Sequence, residues 1–313
     1  MKCIVVNQHK PNLLVILGPT AVGKTEIALE IATVLSGEII SADSMQVYRG
    51  MNVGTAKPSA FEQQQVPHHL IDIANPDQRF TVVDFLHHAQ ASIDSIIAKG
   101  KLPILAGGTG LYINALIDGF AFPDQGCNQN MRQKLAQKHG NDPQALHQAL
   151  MKVDQEAASK LHPNDTRRII RALEVYHTTG KPISVLQQKT GAAATKYEIV
   201  KIGLNRDRQT LYQRIEARVD LMIKHGLVDE VIQLLQQYPT QPTALQAIGY
   251  KEIALYLQQY ITIEEAIYLI KRDTRRYAKR QLSWFRRDDR IQWFDVEALS
   301  VQAIVENIVG ILS

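Results

Sequence analysis

The sequence predicts an α/β fold: a P-loop-like parallel sheet with helices on both faces, plus a small all-helical insertion domain and a helical C-terminal region. Three observations carry this. The run Gly18-Pro-Thr-Ala-Val-Gly-Lys-Thr25 follows an apolar stretch and opens a helical pattern, the setting in which a glycine loop cradles phosphate. Over the first 120 residues, strand-length apolar runs alternate with helical periodicities, as parallel sheets require. From about Pro123 the chain turns polar, Gln-rich and helical, until a strand pattern returns at Glu198.

Taken in order, Leu13–Leu17 reads as the first buried strand. The helix after the loop places Ile27, Ala28, Ile31 and Ala32 on one face. Glu38–Ser41 is a short second strand and Leu102–Ala106 a third. Between them, residues 81–99 carry helical spacing through Phe85, Ala89, Ile93 and Ile96, with Thr81 and Asp84 as cap and Gly100 as stop. Asn128–His139, Pro143–Lys152 and Asp165–Thr178 are three further helices; the last follows a capping sequence, His162-Pro-Asn-Asp165, and stops at Gly180. Ala192–Thr195 reads as a loose loop and Glu198–Leu204 as a strand. The remainder, 205–313, reads as helical over 208–224, 226–237, 246–258 and 263–284. The expected organisation is a core of 1–123 and 197–313 interrupted by a helical insertion of 124–196.

Composition narrows the class. With 45% hydrophobic and 21% charged residues, the 313-residue chain resembles an ordinary soluble globular protein. No apolar run approaches the roughly 20 residues of a membrane span. Met1–Asn7 has too short an apolar region for a secretory signal. Cys3 and Cys127, the only cysteines, exclude a disulfide framework or a zinc constellation, so a reduced, cytoplasmic setting is expected. The His68-His69 pair lacks a second ligand pair and reads as structural. Neither a long heptad pattern nor a large apolar stripe is visible, so we expect a monomer. The net charge is +4, but residues 271–290 hold nine Lys or Arg against three Asp, which leaves −2 for the rest. A near-neutral body with one basic segment suggests a polyanionic partner.

Ligands of parallel sheets sit at the carboxyl ends of the strands. Gly18 and Gly23 let consecutive N–H groups point into one hollow, Lys24 adds a full charge, and the Thr25 hydroxyl can ligate Mg²⁺. The loop is a nucleotide-binding and ATP-binding signature, yet it specifies a phosphate chain rather than ATP. Asp43, just past the second strand, fits a turn or cap, a water-mediated Mg²⁺ contact, or a general base; position leaves all three open. In Gly107-Gly-Thr-Gly-Leu-Tyr112 the glycines permit close backbone approach and Thr109 offers a hydroxyl, although a tight turn alone accounts for the pattern. The strand before it ends in glycine where a kinase-like enzyme carries a Mg²⁺-binding Asp, which argues against phosphoryl transfer. Arg214 and Arg218, four apart, form either a solvated face or a basic wall against a diphosphate. Arg167, Arg168 and Arg171 pose the same choice against a nucleic acid. In the last long helix, Arg272, Arg275, Arg276, Lys279, Arg280 and Arg286 form a basic stripe with Tyr277, Trp284 and Phe285 interleaved, the chemistry of phosphate contact and base stacking.

Together these motifs resemble the tRNA dimethylallyltransferase (tRNA isopentenyltransferase) family nearly end to end. The resemblance rests on the phosphate loop and on Ile40-Ser-Ala-Asp-Ser-Met-Gln-Val-Tyr-Arg-Gly-Met51. It also rests on Gly54–Pro58, Pro67–Ile73, Gly107–Tyr112, His162–Asp165 with Arg168, and Arg171–Glu174. Ala247–Glu252 and Thr274–Gln281 with Trp284 and Arg286 complete it. Val22 departs from the small Ser of many members, while its backbone N–H is unaffected; no zinc finger of the eukaryotic kind is present, which fits the bacterial type. The resemblance implies transfer of a dimethylallyl group from its diphosphate to N6 of the adenosine 3′ of the anticodon, with Mg²⁺ as cofactor and the tRNA anticodon stem-loop as partner. It implies catalytic roles for Asp43, Thr109 and Lys24, and diphosphate binding by Gly18, Pro19, Thr20, Ala21, Val22, Gly23, Lys24 and Thr25. It implies tRNA contacts at Asp43, Ser44, Met45, Gln46, Thr109 and Arg132, and at Arg167, Arg168, Ile169, Ile170 and Arg171. Further implied contacts are Gln246, Ala247, Ile248, Gly249, Tyr250 and Lys251, then Lys279, Arg280, Gln281, Leu282, Ser283, Trp284, Phe285 and Arg286.

Overall fold

The computed structural model describes residues 12–119, 128–139, 142–186, 196–240 and 243–312. Cys3, Cys127, the Met1–Asn7 segment and the Ala192–Thr195 loop lie outside the described residues. In chain order the elements begin with β1 (Asn12–Leu17), α1 (Lys24–Val34), β2 (Gly37–Ala42), α2 (Ala60–Gln65) and β3 (His68–His69). They continue with α3 (Val82–Ala98), β4 (Leu102–Gly107), α4 (Gly110–Asp118), α5 (Gln129–His139), α6 (Pro143–Val153), α7 (Gln155–Lys160), α8 (Thr166–Thr179) and α9 (Ile183–Leu186). The last are β5 (Glu198–Asn205), α10 (Arg208–Lys224), α11 (Leu227–Gln237), α12 (Tyr250–Leu257), α13 (Ile263–Phe285), β6 (Gln292–Asp295) and α14 (Val301–Leu312).

The six strands form one parallel sheet in the order β3-β2-β4-β1-β5-β6. β1 and β4 read as near-continuous apolar runs because they are central and covered on both faces. One core packs Ile27 and Ile31 of α1, Leu211 and Ile215 of α10 and Ile304 and Ile308 of α14 with Leu14, Ile16, Ile104 and Ile202 of the sheet. A second core joins Tyr48 and Met51 to Val231, Leu234, Tyr250, Ile253 and Ile270. Local signals set the helix ends. Thr81 and Asp84 form a reciprocal capping box on α3, Asp165 caps α8, and Gly180 ends α8 at φ 71°.

Two expectations change. The C-terminal portion is not wholly helical, because Gln292–Asp295 pairs with β5 as an edge strand. Its short pattern is stabilised by a distant partner: Trp293 lies so close over Gly203 that a Cβ there would sit 2.7 Å from the indole. The helix expected over 246–258 is broken: a 3₁₀ turn (Ala244–Gln246) precedes Gly249 at φ 99°, and α12 starts only at Tyr250. His68 and His69 are the third strand, with His68 Nδ1 paired to the Val66 carbonyl at 2.7 Å and His69 Nε2 to Glu38 at 2.8 Å.

The chain forms two compact units, Met1–Leu116 with Ala193–Ser313, and Ile117–Ala192; the second starts and ends earlier than the change in composition. Its core is Leu135, Leu146, Leu150, Ala158, Ile169 and Leu173.

Candidate active site

The phosphate loop leaves β1 at Gly18, where the backbone passes so near β5 that a Cβ would lie 2.7 Å from the Leu204 carbonyl. It closes with Ala21 and Gly23 at φ 64° and 114°, the left-handed region that turns successive amides inward. Val22 points the other way, into the core. Thr20, Ala21, Gly23, Lys24 and Thr25 face a cavity of about 830 Å³ in the first unit. Its wall also includes Asp43 and Gln46 after β2, Gly107 and Gly108 after β4, Arg214 and Arg218 of α10, and Tyr277 and Gln281 of α13.

Charge is concentrated here. Lys24 Nζ donates to the carbonyls of Gly18 and Pro19 at 3.0 and 2.8 Å. Burial pushes this ammonium down to about 7; Arg218 adds to the fall and Asp43 opposes it. Burial also lowers the Arg218 guanidinium, with Asp43 pulling it back and Arg214 adding to the fall. The Tyr277 phenol rises to about 12 through burial and then the negative charge of Asp43. One carboxylate thus acts on a lysine, an arginine and a tyrosine of the same cavity. Arg214 Nε donates to the Ala21 carbonyl at 3.0 Å, so this exposed arginine lies against the loop while half-buried Arg218 lines the cavity beside it.

Asp43 is held as an Asx turn: one oxygen accepts the N–H groups of Met45 and Gln46 at 2.8 and 3.3 Å. The Thr109 hydroxyl accepts the Ser44 N–H at 3.1 Å, and the Thr109 N–H donates to Ala42 at 3.1 Å. Thr109 therefore stitches the end of β4 to the Asp43 loop, just beyond the cavity lining. Gln46 is tied to Ser41 at 2.8 Å and to the Thr55 and Ala56 carbonyls at 3.4 Å. Sequence reasoning missed Glu230 on α11. Its carboxylate accepts the N–H groups of Asn52, Val53 and Gly54 within 3.1 Å and the Tyr250 hydroxyl at 2.6 Å, fixing the loop that follows Asp43. No motif contains Glu230, so nothing local marks it.

The residues implied to meet RNA separate sharply. In the second unit, Arg132 and Arg171 both pair with buried Glu174, at 2.8 and 2.9 Å, while Arg167 and Arg168 are exposed. Arg168 makes only a 3.4 Å contact with Asp165. Ile169 is a core residue, and in the first unit so are Tyr250, Ala247 and Phe285; their side chains are withdrawn from any surface partner. Of the three aromatics in the basic helix, Phe285 is buried, Tyr277 faces the cavity, and Trp284 is on the surface, its indole over Gly110. The stripe also divides. Lys271 pairs with Asp220, Arg272 and Arg276 with Asp273, and Arg275 with Glu216. Among the described residues no carboxylate pairs with Lys279, Arg280, Arg286 or Arg287, all exposed. Arg280 stacks instead over the Tyr277 ring at 5.8 Å.

The IPP transferase family model matches residues 46–288. A tRNA dimethylallyltransferase of Halothermothrix orenii is 51% identical over 300 residues, covering 95% of this chain and 91% of that protein. One of Carboxydothermus hydrogenoformans is 52% identical over 298 residues, covering 95% and 96%. Among solved structures, the full-length tRNA isopentenylpyrophosphate transferase of Bacillus halodurans is 45% identical, with TM-score 0.71 over 96% of each chain. A eukaryotic dimethylallyltransferase acting on tRNA is 27% identical, with TM-score 0.78 over 96% of this chain and 78% of that one. A family match over most of the chain and identity of about one half to relatives over nearly its whole length lead to one conclusion: the chain belongs to the IPP transferase family.

Proposed function

We propose that this protein transfers a dimethylallyl group from dimethylallyl diphosphate to N6 of the adenosine 3′-adjacent to the anticodon of tRNA, releasing diphosphate. The observation that carries the reading is Asp43, the carboxylate whose charge acts on Lys24, Arg218 and Tyr277 together in the phosphate-loop cavity. The N6 lone pair attacks C1 of the prenyl group while the C1–O bond breaks, its electron pair leaving on the diphosphate. Asp43 accepts the proton lost from the exocyclic amine. Lys24, the loop amides and the Arg214–Arg218 wall stabilise charge growing on the departing oxygens. Thr109 keeps the Asp43 loop in register.

Mg²⁺ fits this chain. Thr25 and Asp43 present hard oxygen donors to the cavity, and among the described residues no cluster of three or more His, Cys, Asp or Glu could hold a metal by itself. Hard oxygens suit Mg²⁺, with Thr25 as the residue that would hold it. When bound, the ion supplies Lewis-acid neutralisation of the diphosphate charge.

The unpaired cations of α13 and the exposed Arg167 and Arg168 supply phosphate contacts for the anticodon stem-loop. The target adenosine leaves its stack to reach Asp43. Action on tRNA makes the cytoplasm the working compartment. Among the described residues no helix is long and apolar enough to cross a membrane. The test is mass spectrometry of nucleosides from tRNA incubated with the protein, Mg²⁺ and dimethylallyl diphosphate. Adenosine carrying one added five-carbon unit is expected; ATP hydrolysis with an untouched prenyl donor overturns the proposal.

A further inference from the structure

Gln281 stands at a junction. Its carboxamide, on a residue only 6% exposed, accepts the Thr20 N–H of the phosphate loop at 2.8 Å and donates to the Gly108 carbonyl at 2.9 Å. The fit at Gly108 is close: a Cβ there would meet Gln281 Nε2 at 2.1 Å. Three residues further along α13, the Trp284 indole closes over Gly110 in the same way, a Cβ there meeting it at 2.4 Å. One short stretch of helix therefore clasps both glycine loops of the cavity on its inner side. Its outer side carries the unpaired Lys279, Arg280 and Arg286.

We propose that Gln281 is a positioning residue that couples the two substrates: RNA seated on the outer cations tightens the phosphate loop around a diphosphate, and a bound diphosphate tightens RNA in return. This rests on the diphosphate-and-tRNA reading above. A helix moves as a body, so a force on its outer face reaches Thr20 and Gly108 through the amide. The Gly108 end of that amide is buried and the Thr20 end half-buried, so a displaced Gln281 leaves a polar group unpaired inside the protein. The Thr20 amide taken by Gln281 belongs to the loop that grips phosphate, which makes the bridge a direct link between the sites. Coupling of this kind is necessarily reciprocal.

The test uses the full chain, Mg²⁺ and inorganic pyrophosphate as probe, with affinity measured by calorimetry in the absence and presence of saturating unmodified tRNA. In the unsubstituted protein, tRNA should tighten pyrophosphate at least about five-fold. In Gln281→Met the enhancement should fall to nearly none while each ligand still binds alone. Gln281→Glu, which keeps the acceptor for Thr20 but loses the donor to Gly108, should lose most of it and covers the case in which the Met variant does not fold. A purely structural role lowers pyrophosphate affinity equally with and without tRNA; an unchanged ratio in a folded variant overturns the inference. So does a wild-type ratio of one. A wild-type protein that prenylates tRNA without such coupling sinks this inference alone, whereas one that never prenylates tRNA sinks the proposed function.

Discussion

Asp43 serves both as an acceptor for two backbone amides and as the carboxylate facing the cavity. The two tasks separate in Asp43→Asn, which keeps an acceptor for the Met45 and Gln46 N–H groups and removes the negative charge. Turnover should fall by roughly 10²–10⁴ with tRNA affinity nearly intact in a filter-binding assay; near-normal turnover removes Asp43 from the proposed proton transfer. Lys24 makes a pH prediction. Burial lowers it from 10.5 to about 7, so folding releases its proton between those values and stability rises with pH across that window. The penalty of the buried charge is fully present below about 7. Lys24→Met should therefore exceed the unsubstituted protein in urea resistance at pH 6, with the gap narrowing as pH rises above 7, and should bind pyrophosphate weakly at every pH. A gap that widens above pH 7 contradicts the buried ammonium.

At the scale of the element, α13 divides in two by charge pairing. Its N-terminal cations are satisfied by Asp220, Asp273 and Glu216; its C-terminal ones are free of carboxylates. Neutralising Lys279 and Arg280 together should weaken tRNA binding and lower the slope of log affinity against log salt by about one to two. Neutralising Arg272 and Arg275 should leave that slope nearly unchanged, since their charges are already compensated. Equal slopes for both pairs would contradict the division. At the start of β2, buried Glu38 meets Lys101, His69 and Lys99. Burial pushes its carboxyl up, but the three hydrogen bonds prevail and bring it down to about 2 from 4.5. Its contribution to stability is thus present above about 4.5 and lost as pH falls toward 2. Glu38→Gln should be clearly less stable at pH 7 and should converge with the parent at the acid end of a denaturation series.

For the whole molecule, charge and cores show how the work is shared. The +6 of residues 271–290 is partly spent on internal pairs, so the charge left free for a partner is smaller than the sequence total suggests. The second unit has its own core, organised around a buried carboxylate, Glu174, that accepts from Arg132, Arg171 and the Asn128 N–H. Removing it strands no deeply buried cation, because both arginines are about one-third exposed. Glu174→Ala should cost that unit about 1–3 kcal/mol, measured by denaturant unfolding, chiefly through the unmade hydrogen bonds. Loss of the first unit's sheet signal in the same variant would be unexpected, since its two cores contain no residue of the second.

Sequence alone determined the features whose causes lie within a few residues. The strand–loop–helix around Lys24, the capping box at Thr81, the stop at Gly180 and the acid after β2 are all of this kind, and family membership is written in such motifs. Tertiary structure decided which of the marked residues remain available. It buried Phe285 and Tyr250, paired Arg132 and Arg171, turned Tyr277 toward the cavity, and recruited Glu230 from outside every motif. It also made β6 a strand and Gln281 a bridge. The physical reason is distance along the chain: Gln281 meets partners 261 and 173 residues away, and no local period or propensity encodes a hydrogen bond across such a span.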